Sequence, residues 1–228
     1  KLGFKNEDKI MNAPNCLLGS KRITQKLKEL FNNDSWLNLT KSPQGEIELY
    51  ETSDQVSVSL NQGKAHLGFS QVNRELNNQL KKNLNAHSLW QKIKEEKGVV
   101  VDLFGGFGNL SSDFDQNHVW IYDVNGDLTH PHFIKTDLYK AQPSSPQKKC
   151  DLLIVNPPRA GFNRLNEWVA KLNPTYIAYM SCDFMTQKRD LTPIIPSYQI
   201  QELWLIDFFP MSYHFESLVL LQLRDISL

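Results

Sequence analysis

The pattern of apolar residues along this chain changes near residue 99. Upstream they are sparse and periodic; downstream they come in short continuous runs. Ile23, Leu27 and Leu30 recur at helical spacing, which predicts a short helix from Ser20 to Phe31 with Ser20 as its N-cap. Glu46 to Tyr50 and Gln55 to Leu60 alternate polar and apolar positions, which predicts a small antiparallel hairpin around Glu51-Thr52-Ser53-Asp54. Asn73 to Glu96 is polar with Leu76, Leu80, Leu84, Trp90 and Ile93 on one face, and it reads as a single helix ended at Lys97-Gly98.

The downstream runs read as strands: Val99 to Leu103, Val119 to Val124, Phe133 to Leu138, Asp151 to Val155, Tyr176 to Met180, Gln199 to Phe208 and Phe215 to Leu223. Leu165 to Leu172 and Asp183 to Leu191 read as helices between them. This alternation predicts an α/β fold with a mostly parallel, doubly wound sheet. The last two strands are hairpin-like, so an antiparallel strand is expected at the sheet edge. Asn125 to His132 and Tyr139 to Cys150 are too short for the dozen or more residues of an ordinary helical crossover, so that edge is expected to be eroded. Two domains follow: a small N-terminal α+β module over residues 1–65 and the α/β domain over 66–228.

Composition narrows the class. A chain of 228 residues with 40% apolar and 11% aromatic content can build one large core or one domain with a smaller module. Lys plus Arg and Asp plus Glu both number 25, so global charge neither favours nor excludes a nucleic-acid partner. No apolar run reaches the ~18 residues of a membrane span, no signal peptide is visible, and three scattered cysteines make no disulfide framework. These features predict a cytoplasmic, monomeric protein without a membrane partner. The chain opens on Lys1, which leaves room for further N-terminal parts.

The chemistry collects at strand ends. Asp102-Leu103-Phe104-Gly105-Gly106-Phe107-Gly108-Asn109 reads as a buried strand that stops at a tight turn and feeds a short helix. Glycines there permit positive φ and let backbone N–H groups approach a ligand; a Gly-rich turn without a ligand is the alternative. Asp123 and Asp137 follow at the ends of the next two strands, where an acid can accept from a ribose or merely face solvent. Asn156-Pro157-Pro158-Arg159-Ala160-Gly161 stops a buried strand with a rigid turn, from which Asn156 can present its amide to a planar base and Arg159 can meet phosphate. Cys182 precedes a helix, and a helix N-terminus favours the thiolate; a buried, inert Cys is the alternative, which suits Cys16 and Cys150 better. His214 and Glu216 open the last strand, where an acid entering an apolar run is desolvated and can act as a base. Spacing alone does not bring Cys182 and Glu216 together.

Taken together, the motifs resemble the RNA uracil-C5 methyltransferases. Phe69-Ser70-Gln71-Val72-Asn73, Asp102 to Asn109, Asn156 to Gly161, Ser181-Cys182 with Arg189-Asp190, and Phe209-Pro210 with His214-Phe215-Glu216 occur in that family's order, over a span from about Gly3 to Leu223. The resemblance implies a Rossmann-like class I methyltransferase sheet, with S-adenosylmethionine as methyl donor and rRNA or tRNA as partner. It implies Gln71, Asn109 and the turn Phe104, Gly105, Gly106 and Phe107 as cofactor contacts, with Asp123 at the ribose and Asp137 near the adenine. Cys182 is the implied nucleophile and Glu216 the implied base, with Asn156, Arg159 and His214 toward the substrate. A thiolate would add to C6 of uracil, C5 would take the methyl group, and Glu216 would remove the C5 proton. The base must first leave its stack.

The chain departs from the family at named positions. Asn156 stands where the family usually has Asp, and its uncharged amide serves the cofactor's ammonium or the base's N–H less well. Asp183-Phe184 replaces the usual Asn-Pro after the nucleophile. Many members hold an iron–sulfur cluster on four cysteines; only Cys16 matches one of those positions, so no cluster is expected in this chain. Two rival functions stay open: a cofactor- or RNA-binding protein without turnover, and methylation of a different base or of DNA.

Overall fold

The computed structural model describes residues 2–6, 9–16, 19–33, 45–51, 55–60, 73–144, 149–208 and 213–224. The chain divides into two compact units, Lys1–Asn73 and Arg74–Leu228. The first unit holds two small antiparallel hairpins, β1 (Phe4–Asn6) with β2 (Lys9–Met11) and β3 (Ile47–Glu51) with β4 (Val56–Leu60), and the helix α1 (Lys21–Asn32). Ser20 caps α1 by accepting from the Ile23 N–H at 3.2 Å, as the Ser-initiated pattern predicts. The β1–β2 hairpin has no counterpart in the sequence reading, because its three-residue strands are too short to show a period.

The second unit opens on helices. The expected single helix is two, α2 (Arg74–Ala86) and α3 (Ser88–Glu95), broken at His87. His87 adopts extended backbone and caps α3, its Nδ1 accepting from the Leu89 N–H at 3.2 Å. The sheet has seven strands: β5 (Val100–Leu103), β6 (Val119–Asp123), β7 (Phe133–Lys135), β8 (Leu152–Val155), β9 (Tyr176–Ser181), β10 (Tyr198–Ile206) and β11 (Glu216–Leu223). Their spatial order is β10-β11-β9-β8-β5-β6-β7. The strands β7, β6, β5, β8 and β9 pair in parallel; β11 pairs antiparallel with both β9 and β10. The antiparallel strand is therefore one place in from the edge. The edge strand β10 runs with the parallel set, because the hairpin β10–β11 inserts its second strand beside β9.

Period-2 burial explains why these runs are strands. In β5, β8, β9 and β11 alternate side chains feed two different cores. Val101, Leu153, Tyr179 and Leu221 join one core with Trp168 and Leu172 of α4 (Leu165–Leu172) and Leu191 of α5 (Phe184–Leu191). Val100, Ile154, Met180 and Leu220 join the other with Leu80, Leu84, Trp90 and Ile93 of α2 and α3. Strands buried on both faces read as continuous apolar runs.

The stretch after β5 does not form the expected short helix. Residues 104–114 make consecutive turns, with positive φ at Phe104, Gly106 and Gly108; successive left-handed residues break the helical ladder. The segments 124–132 and 136–144 carry no helix either, as their lengths predict.

Trp168 is fully buried, and its indole N–H has no hydrogen-bond partner among the described residues. Trp168→Ala is expected to destabilise the protein by about 3–5 kcal/mol in urea unfolding. Trp168→Phe, which removes an unsatisfied donor along with some volume, should cost under about 2 kcal/mol. Equal losses for the two variants would show that the indole N–H is satisfied.

Candidate active site

The parallel strands end together at one edge of the sheet, and the turns beyond them carry the candidate groups. At the end of β5 the Phe104 N–H donates to the Tyr122 carbonyl at 2.9 Å, the last rung of the parallel ladder with β6, and the chain leaves the strand through the positive φ of Phe104. A Cβ at Gly105 would stand 2.7 Å from Asp102 Cγ and 2.8 Å from Ile121 Cγ2, so only glycine lies flat there. At Gly106 a Cβ would meet only Asp123 Oδ2, at 3.8 Å, so the turn is open above Gly106. Asp123 anchors this turn to the end of β6. Its carboxylate accepts from the Gly106 N–H at 2.9 Å and the Asn125 N–H at 3.1 Å, with acceptor capacity left over. Burial pushes its pKa up, against those backbone donors. An open glycine turn beside an anchored carboxylate fits a nucleoside ligand.

The other cofactor-side positions are placed as follows. Phe107 is exposed. The Asn109 amide exchanges hydrogen bonds with the Asn77 amide of α2 at 2.9 and 3.0 Å. Asp137 begins the turn after β7, accepts from the Tyr139 N–H at 3.1 Å and pairs with Lys140 at 3.0 Å; the lysine holds its carboxyl below the usual range. Phe104, Tyr139 and Phe162 form an aromatic cluster, with ring centroids 5.0–6.0 Å apart. Gln71 lies outside the described residues, as do Phe209 and Pro210.

On the other side of β5, Asn156 continues from β8 through its N–H to the Leu103 carbonyl at 3.2 Å. Its side chain makes no hydrogen bond to any described residue and is half-buried. Arg159 is exposed, with Nε 3.7 Å from Asp183 Oδ2.

The register of β11 on β9 brings the two catalytic candidates together. Ser217 pairs with Ser181, so Glu216 and Cys182 stand opposite each other one step farther along. Antiparallel pairing thus joins residues far apart in sequence. Glu216 is 5% exposed, and burial pushes its pKa up to about 7. Cys182 is half-buried, and its thiol pKa is raised rather than lowered: burial raises it first, then the negative charge of Glu216. The expectation of a thiol activated by the helix N-terminus is corrected here. Asp183 takes the N-cap of α5, accepting from the Thr186 N–H at 2.9 Å, and puts a carboxylate where a thiolate would otherwise gain. His214 lies two residues before Glu216, its ring 4.1 Å from that of Tyr213.

Comparison with known proteins narrows this arrangement. Residues 145–224 match the family model for tRNA (uracil-5-)-methyltransferase. A 23S rRNA (uracil(1939)-C(5))-methyltransferase of Shewanella woodyi is 29% identical over 208 residues, covering 84% of this chain and 45% of that protein. The chain is thus similar in sequence to RNA uracil-C5 methyltransferases. A 23S rRNA (uracil(747)-C(5))-methyltransferase of Haemophilus influenzae is 37% identical over 101 residues, covering 44% of this chain and 26% of that protein. Among solved structures, the Pyrococcus abyssi tRNA (uracil-54, C5)-methyltransferase in complex with S-adenosyl-L-homocysteine superposes with a TM-score of 0.52. It is 22% identical and covers 77% of this chain and 44% of that one, which shows a shared class I methyltransferase fold. The chain spans about half the length, or less, of the curated relatives it matches.

Two buried acids stand out to which motif reading gave no role. Asp102 is 1% exposed, accepts from the Ser111 hydroxyl at 2.6 Å beneath the glycine turn, and is pushed up to about 7 by burial. Asp190 is 3% exposed and lies on the buried side of α5 with Gln187 and Leu191. The signal for both was available: each falls on a position that the local period assigns to the core.

The raised pKa of Glu216 has a stability consequence of definite sign. The unfolded chain ionises near 4.5 and the folded chain near 7, so stability is lost as pH rises between those values, by roughly 3 kcal/mol at most. Glu216→Gln is expected to be more stable than wild type by about 1–3 kcal/mol at pH 8, with the gap closing toward pH 4.5. Urea unfolding at the two pH values measures it, and a gap independent of pH would show that Glu216 is not desolvated.

Proposed function

We propose that this chain transfers a methyl group from S-adenosylmethionine to C5 of a uridine in RNA, through a covalent bond between Cys182 and C6 of the base. The observation that carries this reading is the β9–β11 register, which sets a thiol against a desolvated carboxylate at the ligand end of the sheet.

S-adenosylmethionine, when bound, supplies an electrophilic methyl group on a sulfonium. The glycine turn at Gly105 and Gly106 would receive its nucleoside, and Asp123 would accept from its ribose hydroxyls. Asp137 and the Phe104–Tyr139–Phe162 cluster flank the same opening. Asn156 offers an uncharged amide, with no hydrogen bond to the described residues, between this opening and the target base. Arg159 meets the RNA backbone as a fixed cation. The uridine must be turned out of its stack to reach Cys182.

The acid–base chemistry follows from the electrostatics of the pair. With Glu216 ionised, the Cys182 thiol stays protonated, because two adjacent negative charges oppose each other. The thiol proton passes to solvent as Sγ attacks C6, and the C5–C6 electron pair moves to the C5–O4 enolate. C5 would then form its bond to the methyl group as the methyl–sulfonium bond of the donor breaks and the neutral thioether leaves. Glu216, with a pKa of about 7, takes the C5 proton; the C6–S bond breaks and the thiolate leaves. A carboxylate of ordinary acidity would be a weaker base for that carbon-bound proton.

Incubation of the protein with S-adenosylmethionine and single-stranded uridine-containing RNA is expected to yield 5-methyluridine by nucleoside mass spectrometry. Cys182→Ala should lower the yield by on the order of 1,000-fold or more. Glu216→Gln should accumulate a denaturation-resistant RNA–protein adduct without completing turnover. Undiminished methylation by Cys182→Ala would refute the covalent route; cofactor binding without any methylated nucleoside would favour a binding protein without turnover.

A further inference from the structure

One side-chain cluster at the ligand end of the sheet has no part in the chemistry above. It joins the loop Asn156–Phe162 to the helix that follows Cys182. We propose that Asp190, with Arg189, is a positioning residue that locks this loop onto the Cys182-bearing end of β9 and α5, and so fixes where a target base sits relative to the thiol. The proposal rests on the reading that Cys182 attacks a base flanked by this loop.

A single buried carboxylate ties three segments together. Asp190 Oδ2 accepts from the Phe162 N–H of the loop and from the Tyr179 hydroxyl of β9, the latter at 2.7 Å. Asp190 Oδ1 accepts from Arg189 Nε at 2.8 Å, and Arg189 Nη2 reaches the Ala160 carbonyl at 2.9 Å. One turn earlier on α5, the Thr186 hydroxyl donates to the Arg159 carbonyl at 3.3 Å. From the opposite side the Tyr139 hydroxyl donates to the Gly161 carbonyl at 2.8 Å. Three consecutive backbone carbonyls and the next N–H are therefore held, three of the four by α5.

The fit leaves no slack at Gly161. Its φ is +74°, and a Cβ there would lie 2.5 Å from Asp190 Oδ2 and 2.7 Å from Arg189 Nη2. The loop backbone lies directly against the Arg189–Asp190 pair.

This cluster is not all that holds α5 to the sheet. Gln187 does so separately: its amide donates to the Tyr179 carbonyl at 3.0 Å and the Ser217 carbonyl at 3.2 Å, and it accepts from the Ser217 hydroxyl at 2.8 Å. Leu191 adds apolar packing to the same side. Burying a carboxylate is costly, and an apolar side chain of similar volume often serves stability as well. What an apolar residue would not supply is the directional hold on the Phe162 N–H and, through Arg189, on the Ala160 carbonyl. Arg159 leaves this held segment and reaches Asp183 beside Cys182; Asn156 lies at its start.

The test uses 5-fluorouridine RNA with S-adenosylmethionine, in which fluorine blocks the final proton removal and the covalent adduct persists. Wild type, Asp190→Asn, Arg189→Lys and Tyr179→Phe are compared. The expectation is that Asp190→Asn forms adduct at least tenfold more slowly and loses kcat by a similar factor, with KM for RNA and cofactor affinity within threefold of wild type. Alkylation of Cys182 by iodoacetamide without RNA should change less than twofold, and hydrogen exchange should accelerate at Gly161 and Phe162 but not in β9. Arg189→Lys and Tyr179→Phe, which each remove one partner, should fall between and keep the test decisive if Asp190→Asn does not fold. Adduct formation within twofold of wild type in all folded variants overturns the proposal. So does a parallel loss of cofactor affinity and a change in Cys182 alkylation, which would mean a general loss of the site. No adduct with wild type overturns the reading of Cys182 as nucleophile itself, and this proposal with it.

Discussion

The meeting of the thiol and the buried carboxyl group depends on one strand running against the others. Were β11 parallel to β9, its first residue would lie at the opposite end of the sheet from Cys182. Because β11 is antiparallel, its beginning meets the end of β9, and Glu216 arrives beside the thiol. The constraint is backbone pairing, which leaves little freedom: a one-residue slip would turn Glu216 to the other face and exchange the two rows of β11 between the cores. Both cores of the sheet oppose such a slip, since Leu218 and Leu220 belong to one and Val219 and Leu221 to the other.

That placement also sets the charge state of the pair. A thiol and a carboxyl group share a half-buried site in which the ionised forms of both are disfavoured. The thiolate fraction of Cys182 is thereby kept small. The helix dipole does not alter this, because Asp183 already occupies the N-terminal donors of α5.

The legible part of the sequence was the part governed by short-range rules. Continuous apolar runs gave the strands because both faces of the parallel sheet are buried, and the Ser20 cap and the hairpin at residues 47–60 followed from local pattern. The less legible part depended on tertiary context. His87 interrupts what looked like one helix, because its ring caps α3 and also meets Glu202 of β10 at 2.9 Å. Nothing local places Glu202 there. The glycine turn was expected to start a helix, but its left-handed residues spend the chain on consecutive turns. The acidity of Cys182 was misjudged in sign because burial, and after it the charge of Glu216 from a strand thirty-odd residues away, depends on tertiary packing. Asp190 escaped notice among the motif residues although its spacing from Gln187 and Leu191 put it on the buried side of α5.

The turns that replace helices after β5 and β6 make the two sides of the domain unlike. On the Cys182 side, α4 and α5 lie on the sheet with Trp168, Leu172 and Leu191 in a shared core. On the Asp123 side, the connections 104–118 and 124–132 are turns joined by local hydrogen bonds, with Leu110 and Phe114 seated in the second core. The turn at Gly105 to Gly108 is thus fixed to the sheet through Leu110 and Phe114 rather than through a helix of its own.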